Sequence, residues 1–457
     1  MPPWTGSGRD GRLGAVDKRP RSTFRIPGWR RPVPASRGRA ALAILAIFAI
    51  VGSGVALVLQ PGAAHVGPVG LGGSPASSAW ASIAPPLPGH EVYGFVPYWE
   101  MDDSIAEHLR ATDATTIALF SVTHNGKGAI AATQKGDRTI SGPIGRQIIA
   151  DAHALGRRVD VAWTSFGQAK NHKLFASDAL QGKVVASLVA LQADLDIDGI
   201  AVDVEEIDAT DIPAYGAFVG RLRAALVAAH PGATVTATTG AGPQGAALAL
   251  AATVAGADRV FLMGYDYRTA SSEPGASAPI SRGDGAERSI AWSLDLYAAA
   301  GVPAGRTLLG LPLYGLSWPT ASAELGSPKT GRGDIWVPRR NLASLLNPGA
   351  QASYDPVEDV AFLAVPDGTR WQAVYYDSPR SLRSKLGLAN ALGLAGAGFW
   401  ALGYERGLPE YTGLIADFRA GRSMAPDPSP AAIAPSGDPL APGSGGTGSG
   451  GPPPRAP

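Results

Sequence analysis

Two acidic residues stand inside one of the more apolar stretches of the chain. The segment 195–208 reads LDIDGIAVDVEEID and contains Asp203 and Glu205. Successive side chains of a strand point to opposite faces, so Ala201, Asp203 and Glu205 share one face. A buried carboxylate is costly unless it is paired or functional. The spacing indicates acid catalysis, in which the outer group donates a proton and the inner one steers it. The alternative is a pair of strand-end residues that meet solvent or cap a helix.

The elements around this pair predict a barrel. Between residues 90 and 422 short apolar strands alternate with helical patterns, which is typical of parallel βα units. We therefore expect an α/β protein with the (β/α)8 TIM-barrel fold and a site at the C-terminal ends of its strands. The predicted strands cover 91–97, 115–122, 158–164, the segment around Asp203, 234–239, 259–264, 307–312 and 396–402. The predicted helices cover 143–155, 178–193, 212–230, 379–392 and 409–418.

The alternation breaks between residues 316 and 376. Pro and Gly residues separate short strand-like pieces there, at 334–337, 361–365 and 372–375. This pattern predicts a small α+β insertion between the seventh and eighth barrel strands.

The segment from Asp198 to Glu205, DGIAVDVE, resembles the signature of glycoside hydrolase family 18, the chitinase-like enzymes. That signature reads Asp-Gly-x-Asp-x-Asp-x-Glu on the fourth barrel strand. Ala201 stands where the family usually has its second Asp. Spore-germination-type hydrolases of the family, which act on peptidoglycan, often carry Asn at that position.

Two further segments resemble motifs of the same family. Residues 263–267, MGYDY, are similar to a Met-x-Tyr-Asp motif, and the resemblance implies that Tyr265 and Asp266 reach the acetamido group of the sugar. Residues 398–403, GFWALG, resemble the segment whose Trp forms the floor under that sugar, here Trp400. Taken singly, the Trp and Tyr could be core packing and the Asp a helix cap.

The first and seventh strands complete the resemblance. Residues 93–99, YGFVPYW, are similar to the family's first-strand motif and place Tyr98 and Trp99 among the expected substrate-binding residues. Residues 309–315, LGLPLYG, resemble the seventh-strand motif. Five motifs in the family's order indicate membership more strongly than any one of them.

The resemblance implies a retaining, substrate-assisted hydrolysis of polysaccharide that contains N-acetylglucosamine (GlcNAc). Glu205 would be the acid and base, Asp203 would hold the acetamido group, and no cofactor would be needed. The rival interpretations are a chitinase-like lectin and an envelope scaffold. Such lectins typically lose the Glu, and its presence here favours the enzyme.

Composition excludes several other classes. The chain of 457 residues has 39 basic and 38 acidic residues, so no global charge predicts nucleic acid as a partner. It has no Cys, and its 7 His residues are scattered, so we infer no metal site. The Gly runs lack a P-loop Lys, so a phosphate-binding loop has no support either.

The two ends predict the location. Residues 1–39 are basic, and residues 40–59 read AALAILAIFAIVGSGVALVL without a charge, long enough to span a bilayer. We expect an uncleaved membrane anchor, with the chain after residue 59 on the outer side of the membrane. The alternative is a signal peptide that is cleaved. Residues 60–89 and 423–457 are Pro-, Gly-, Ser- and Ala-rich and predict a flexible linker and a disordered tail. We expect a monomer. Because it would be tethered and shows no separate carbohydrate-binding module, cell-wall glycan (peptidoglycan) is favoured over chitin as the substrate class on this interpretation.

Overall fold

The computed structural model describes residues 90–283 and 288–425. The predicted basic flank 1–39, anchor 40–59 and linker 60–89 lie outside these residues, as does most of the predicted tail 423–457. Within the part that the structure describes, no single helix is long and apolar enough to cross a membrane. Two consecutive helices, Gln168–Phe175 and Asp178–Leu195, are long and apolar enough only when taken together, and the chain bends between them.

Eight parallel strands close into a barrel, which confirms the predicted fold. In chain order these are β1 (Glu91–Pro97), β2 (Thr116–Thr123), β3 (Arg158–Phe166), β4 (Gly199–Glu205), β5 (Thr234–Gly240), β6 (Arg259–Met263), β7 (Thr307–Pro312) and β13 (Gly396–Trp400). The barrel closes through β1, which pairs with both β2 and β13. The last strand ends at Trp400, two residues before the predicted end.

Helices follow the barrel strands and cover them from outside, except for the short helix Leu342–Leu345, which lies in the segment between the last two barrel strands. They are α1 (Asp103–Ala111), α2 (Lys135–Ile140), α3 (Pro143–Ala154), α4 (Gln168–Phe175), α5 (Asp178–Leu195), α6 (Ile212–Ala229), α7 (Pro243–Val254), α8 (Ile290–Ala300), α9 (Leu342–Leu345), α10 (Pro379–Ala391) and α11 (Pro409–Arg419). Several begin at side-chain caps. Ser177 accepts a hydrogen bond from the Leu180 amide at the start of α5, and Ser378 caps α10 in the same way.

The insertion between β7 and β13 is an antiparallel sheet in the order β10-β11-β12-β8-β9. Its strands are β8 (Gly315–Thr320), β9 (Asp334–Trp336), β10 (Gln351–Asp355), β11 (Val360–Asp367) and β12 (Arg370–Tyr376). The sequence predicted β9, β11 and β12 and missed the other two. The strand β8 was missed because it contains a Gly and a Pro, which usually mark loops. The strand β10 was missed because it is polar and exposed.

The barrel interior has its own small core. Ala201 on β4 lies inside it, whereas Ile200, Val202 and Val204 belong to the layer between strands and helices, as strand alternation predicted. The interior combines small side chains with large aromatic ones: Tyr93, Phe95, Ala118, Ala162, Ala201, Phe261 and Leu308. This plug fills the lower barrel, so the space for a ligand lies at the C-terminal ends of the strands.

Candidate active site

Asp203 and Glu205 point to the interior face at the C-terminal end of β4. Asp203 is 4% exposed, and Thr164 on β3 and Thr238 on β5 are its register partners. Glu205 is the last residue of the strand and is half-buried. The Asp203 Oδ1 atom is buried with no hydrogen-bond partner among the described residues. The Asp203 carboxyl is therefore enclosed in the barrel, and the Glu205 carboxyl lies beyond it at the end of the strand.

Burial favours the protonated forms of both acids. It raises the pKa of Glu205 to about 7, and the charges of Asp266 and Glu206 contribute in the same direction. Burial, followed by the charge of Glu205, raises the pKa of Asp203 well above its ordinary value. A carboxyl whose pKa lies near neutrality can both give and take a proton at physiological pH, which is what a general acid and base needs.

Asp266 follows β6 and faces the same site. Its backbone has a positive φ of 60°, and the Tyr314 hydroxyl donates a hydrogen bond to its Oδ1. The Ser277 hydroxyl lies 3.4 Å from the same oxygen. Burial raises the pKa of Asp266 to about 6, while the hydrogen bonds from Tyr314 and Ser277 oppose that rise. Asp266 is thus held in place by two hydroxyl donors.

Tyr265 lies close enough to these acids for their charges to act on it. Burial, and then the charges of Asp266, Asp203 and Glu205, raise the pKa of Tyr265 well above its ordinary value. It therefore keeps its proton and can serve as a hydrogen-bond donor. Its ring packs edge-on against that of Tyr314 at 6.2 Å between centroids. We call Asp203, Glu205, Tyr265, Asp266 and Tyr314 the acid group.

Aromatic side chains form the other part of the barrel end. The half-buried ring of Trp400, on β13, lies 4.7 Å from that of Phe120 and 5.7 Å from that of Phe95, between centroids. Trp99 lies 6.4 Å from Trp400 and donates its Nε1–H to the Tyr404 hydroxyl at 3.3 Å. We call Phe95, Trp99, Phe120 and Trp400 the aromatic group. The packing of the other rings fixes the plane of Trp400.

The structure brings the sequence-predicted residues to one end of the barrel. Tyr265 and Trp400 both pack against the interior core that contains Ala201. Tyr98 lies beside this assembly, with its ring 5.0 Å from that of Trp99 and the Lys135 Nζ 6.0 Å from its centroid. Glu206, which strand alternation placed on the other face, is exposed.

Three contributors were not predicted from the sequence. Tyr314 lay within the seventh-strand motif but had no assigned role. Asn171 on α4 is fully buried, and its Nδ2 donates to the Glu205 carbonyl at 2.5 Å while its Oδ1 accepts from Ser165 at 2.6 Å. Thr238, the register partner of Asp203, has a buried hydroxyl with no hydrogen-bond partner among the described residues. A helix residue that binds the backbone of a distant strand leaves no local sequence pattern.

The described ranges contain no group of three or more His, Asp or Glu side chains arranged to hold a metal ion. The described side chains of the site are carboxyl groups, hydroxyl groups and aromatic rings.

Comparisons with known proteins identify relatives of this chain. The family model described as glycosyl hydrolases family 18 matches residues 95–405. A probable endochitinase of Caenorhabditis elegans is 26% identical over 266 residues, which cover 53% of this chain and 42% of that protein. The matches span less than half the length of each of the first curated relatives.

Solved structures share the fold. A family 18 chitinase from Cycas revoluta in complex with (GlcNAc)3 aligns with a TM-score of 0.62 at 18% identity, over 72% of this chain and 99% of that one. The Bacillus cereus spore cortex-lytic enzyme SleL aligns with a TM-score of 0.58 at 18% identity, over 72% of this chain and 74% of that one. At these identities the likeness concerns the fold.

Proposed function

We propose that this chain, which belongs to glycosyl hydrolases family 18, is a glycosidase that cleaves GlcNAc-containing polysaccharide with Glu205 as acid and base. The observation that carries this proposal is the pairing of a half-buried Glu205, whose pKa is raised to about 7, with an enclosed Asp203 two residues earlier on the same face.

The proposed reaction needs one proton-transfer group from the protein. Glu205 protonates the glycosidic oxygen as the 2-acetamido oxygen of the same sugar attacks the anomeric carbon, and the bond to the leaving sugar breaks. An oxazolinium ion forms within the substrate. The Glu205 carboxylate then takes a proton from water as the water oxygen attacks the anomeric carbon, and the oxazolinium ring opens. The anomeric carbon has the same configuration in the product as in the substrate.

Asp203 and the neighbouring residues would orient the acetamido group. The Oδ1 of Asp203, which has no hydrogen-bond partner among the described residues, offers an acceptor to the acetamido N–H. In its ionised form Asp203 would also stabilise the positive charge that develops on the acetamido group. Tyr265 supplies a protonated hydroxyl and Asp266 a carboxyl held by Tyr314. Trp400, flanked by Trp99 and Phe120, offers a flat apolar face for the sugar ring, and Tyr98 would extend that surface.

Cell-wall glycan is the substrate that we favour over chitin. The uncharged segment 40–59 would hold the barrel at the membrane surface, and the linker 60–89 would reach roughly 30 Å as a flexible coil. That reach confines the enzyme to its own cell's envelope. Ala201, at a position that germination-type hydrolases also vary, supports the same choice.

Membrane attachment is part of this proposal and is tested separately. Fractionation of cells that express the full chain should place it in the membrane fraction with the barrel accessible from outside. Recovery of the protein wholly in the soluble medium would mean that residues 40–59 are removed as a signal.

The proposed function is tested with the full chain on two polymers. Incubation with purified peptidoglycan should release new reducing ends at GlcNAc, and crystalline chitin should be attacked far more slowly. Fast solubilisation of chitin with intact peptidoglycan would overturn the substrate. Cleavage of neither would overturn the proposed hydrolysis.

A further inference from the structure

A cavity opens near the C-terminal end of β2, and none of the residues of the acid and aromatic groups lines it. It has a volume of about 640 Å³ and lies between the loop after β2 and helix α4. Its polar lining includes Thr123, His124, Asn125, Gln134, Lys170 and Lys173. The proposed hydrolysis uses none of these residues, so the cavity has no role in that mechanism.

The two lysines give this cavity a positive charge. The half-buried Lys170 donates a hydrogen bond from its Nζ to the Thr123 hydroxyl at 2.7 Å. Within the described residues, no carboxylate lies within ion-pair distance of Lys170 or Lys173. Partial burial of an ammonium group without a counter-charge costs free energy, and a bound anion would reduce that cost.

His124 adds an unpartnered polar group to the same wall. It is 5% exposed, and its Nδ1 is buried without a hydrogen-bond partner in the described part of the chain. Burial, together with the charge of Lys170, lowers the pKa of His124 to about 4, so the ring is neutral at pH 7. A neutral imidazole can donate one hydrogen bond without adding a charge.

The cavity adjoins the proposed cleavage site. The Thr123 hydroxyl, which accepts from Lys170, donates to the Thr164 carbonyl at 2.6 Å. Thr123 is the register partner of Thr164, and Thr164 is the register partner of Asp203. Neighbouring strands lie about 4.8 Å apart, so Thr123 is about 10 Å from Asp203 along the sheet. The backbone of Thr123 is therefore two strands away from that of Asp203 in the same sheet.

We propose that this cavity binds a carboxylate carried by the substrate glycan, with Lys170 as its main cationic contact and Lys173 as the second. This inference rests on the proposed function and narrows it. Peptidoglycan alternates GlcNAc with N-acetylmuramic acid, whose lactyl carboxylate is either free or joined as an amide to a peptide stem that carries carboxylates of its own. Chitin has neither kind of carboxylate. The cavity would thus make the enzyme select acidic wall glycan over a neutral GlcNAc polymer.

Binding of defined oligosaccharides to the full chain tests the proposal. Three probes are compared: a neutral GlcNAc tetramer, a peptide-free tetrasaccharide that contains N-acetylmuramic acid, and the same tetrasaccharide with peptide stems. Lys170→Met should weaken binding of an acidic probe about tenfold, because a hydrogen bond to a charged group is lost. Binding of the neutral tetramer should not change. Lys170→Arg should retain most of the affinity because it keeps the charge.

The matched control is Lys127→Met. Lys127 is exposed on the same loop and does not line the cavity, so this variant removes the same charge nearby. It should bind all three probes as the wild type does. A tenfold loss for the peptide-free acidic probe identifies the lactyl carboxylate as the ligand. A loss seen only with peptide stems identifies a peptide carboxylate.

The outcomes separate this proposal from the proposed hydrolysis. Equal losses for the neutral and acidic probes, or no loss in a folded Lys170→Met variant, would overturn the carboxylate site even if the enzyme cuts wall glycan. Selective loss of acidic binding in a protein that cuts no glycan would overturn the hydrolysis and keep the site. Measuring the unfolding midpoint of each variant shows that it is folded.

Discussion

The acid group and the aromatic group occupy the same end of one barrel, yet they are built in different ways. The acid group depends on charge, because the pKa of Glu205 is raised by burial and by the neighbouring Asp266. The aromatic group depends on shape, because Trp400 is held by rings whose centroids lie 4.7–6.4 Å from its own. A change of one atom can therefore disable the first, whereas the second should tolerate any substitution that preserves a flat ring.

This difference predicts different kinetic signatures. A residue that acts on the reacting bond changes kcat, whereas a residue that only holds the sugar changes KM. The predictions below test whether the two groups divide the work in this way.

The largest effect is expected for Glu205→Gln. The amide has nearly the same shape but cannot donate the proton, and loss of a general acid costs about 10²–10⁴ in rate. The variant should keep the fold and bind glycan while losing nearly all turnover, as measured by release of reducing ends.

Glu206→Gln is the matched control for that experiment, since Glu206 is the exposed neighbour on the other face. It should retain most of the activity. Turnover of Glu205→Gln within a few-fold of the wild type would eliminate Glu205 as the acid.

A smaller effect is expected in the aromatic group. Trp400→Ala should raise KM about 2–10-fold, because aromatic contacts contribute about 0.5–1.5 kcal/mol beyond the area that they bury. Trp400→Phe should recover most of this loss. Steady-state kinetics on one soluble glycan separates the two constants, and a fall in kcat alone for Trp400→Ala would show that the ring does more than bind.

The smallest effect is a shift in pH dependence for Asp266→Asn. Glu205 must be protonated to act as an acid, so the rate should fall as pH rises through its pKa of about 7. Removing the charge of Asp266 lowers that pKa and moves the basic limb of the kcat profile to lower pH. Glu206→Gln should shift it less, and an unchanged profile for Asp266→Asn would mean that Asp266 does not influence the acid electrostatically.

Much of this arrangement could be predicted from the sequence. Strand alternation placed Asp203 and Glu205 inside and Glu206 outside, and parallel βα units placed the strand ends together. The contacts of Tyr314 and Asn171 could not be predicted, because each joins elements that are distant in the chain. The strand β8 was missed because its Gly and Pro are typical of loops, whereas pairing with β9 and β12 holds it in a sheet.

The cavity that Lys170 and Lys173 line could not be predicted from the sequence either. Nothing about Lys170 alone shows that it is half-buried with no described carboxylate within ion-pair distance, since that depends on how the loop after β2 packs against α4. Its burial lowers the pKa of Lys170 to about 8, a property of the packed structure alone.

The most direct test of the central claim uses one glycan with and without its N-acetyl groups. If the substrate supplies the nucleophile and Glu205 supplies the proton, hydrolysis by the full chain should occur only at bonds on the reducing side of an N-acetylated sugar. The de-N-acetylated polymer, which lacks the attacking oxygen, should not be cut. Mass spectrometry of the products identifies the sugar at each new reducing end. Cleavage at de-N-acetylated sugars at a comparable rate would contradict the mechanism.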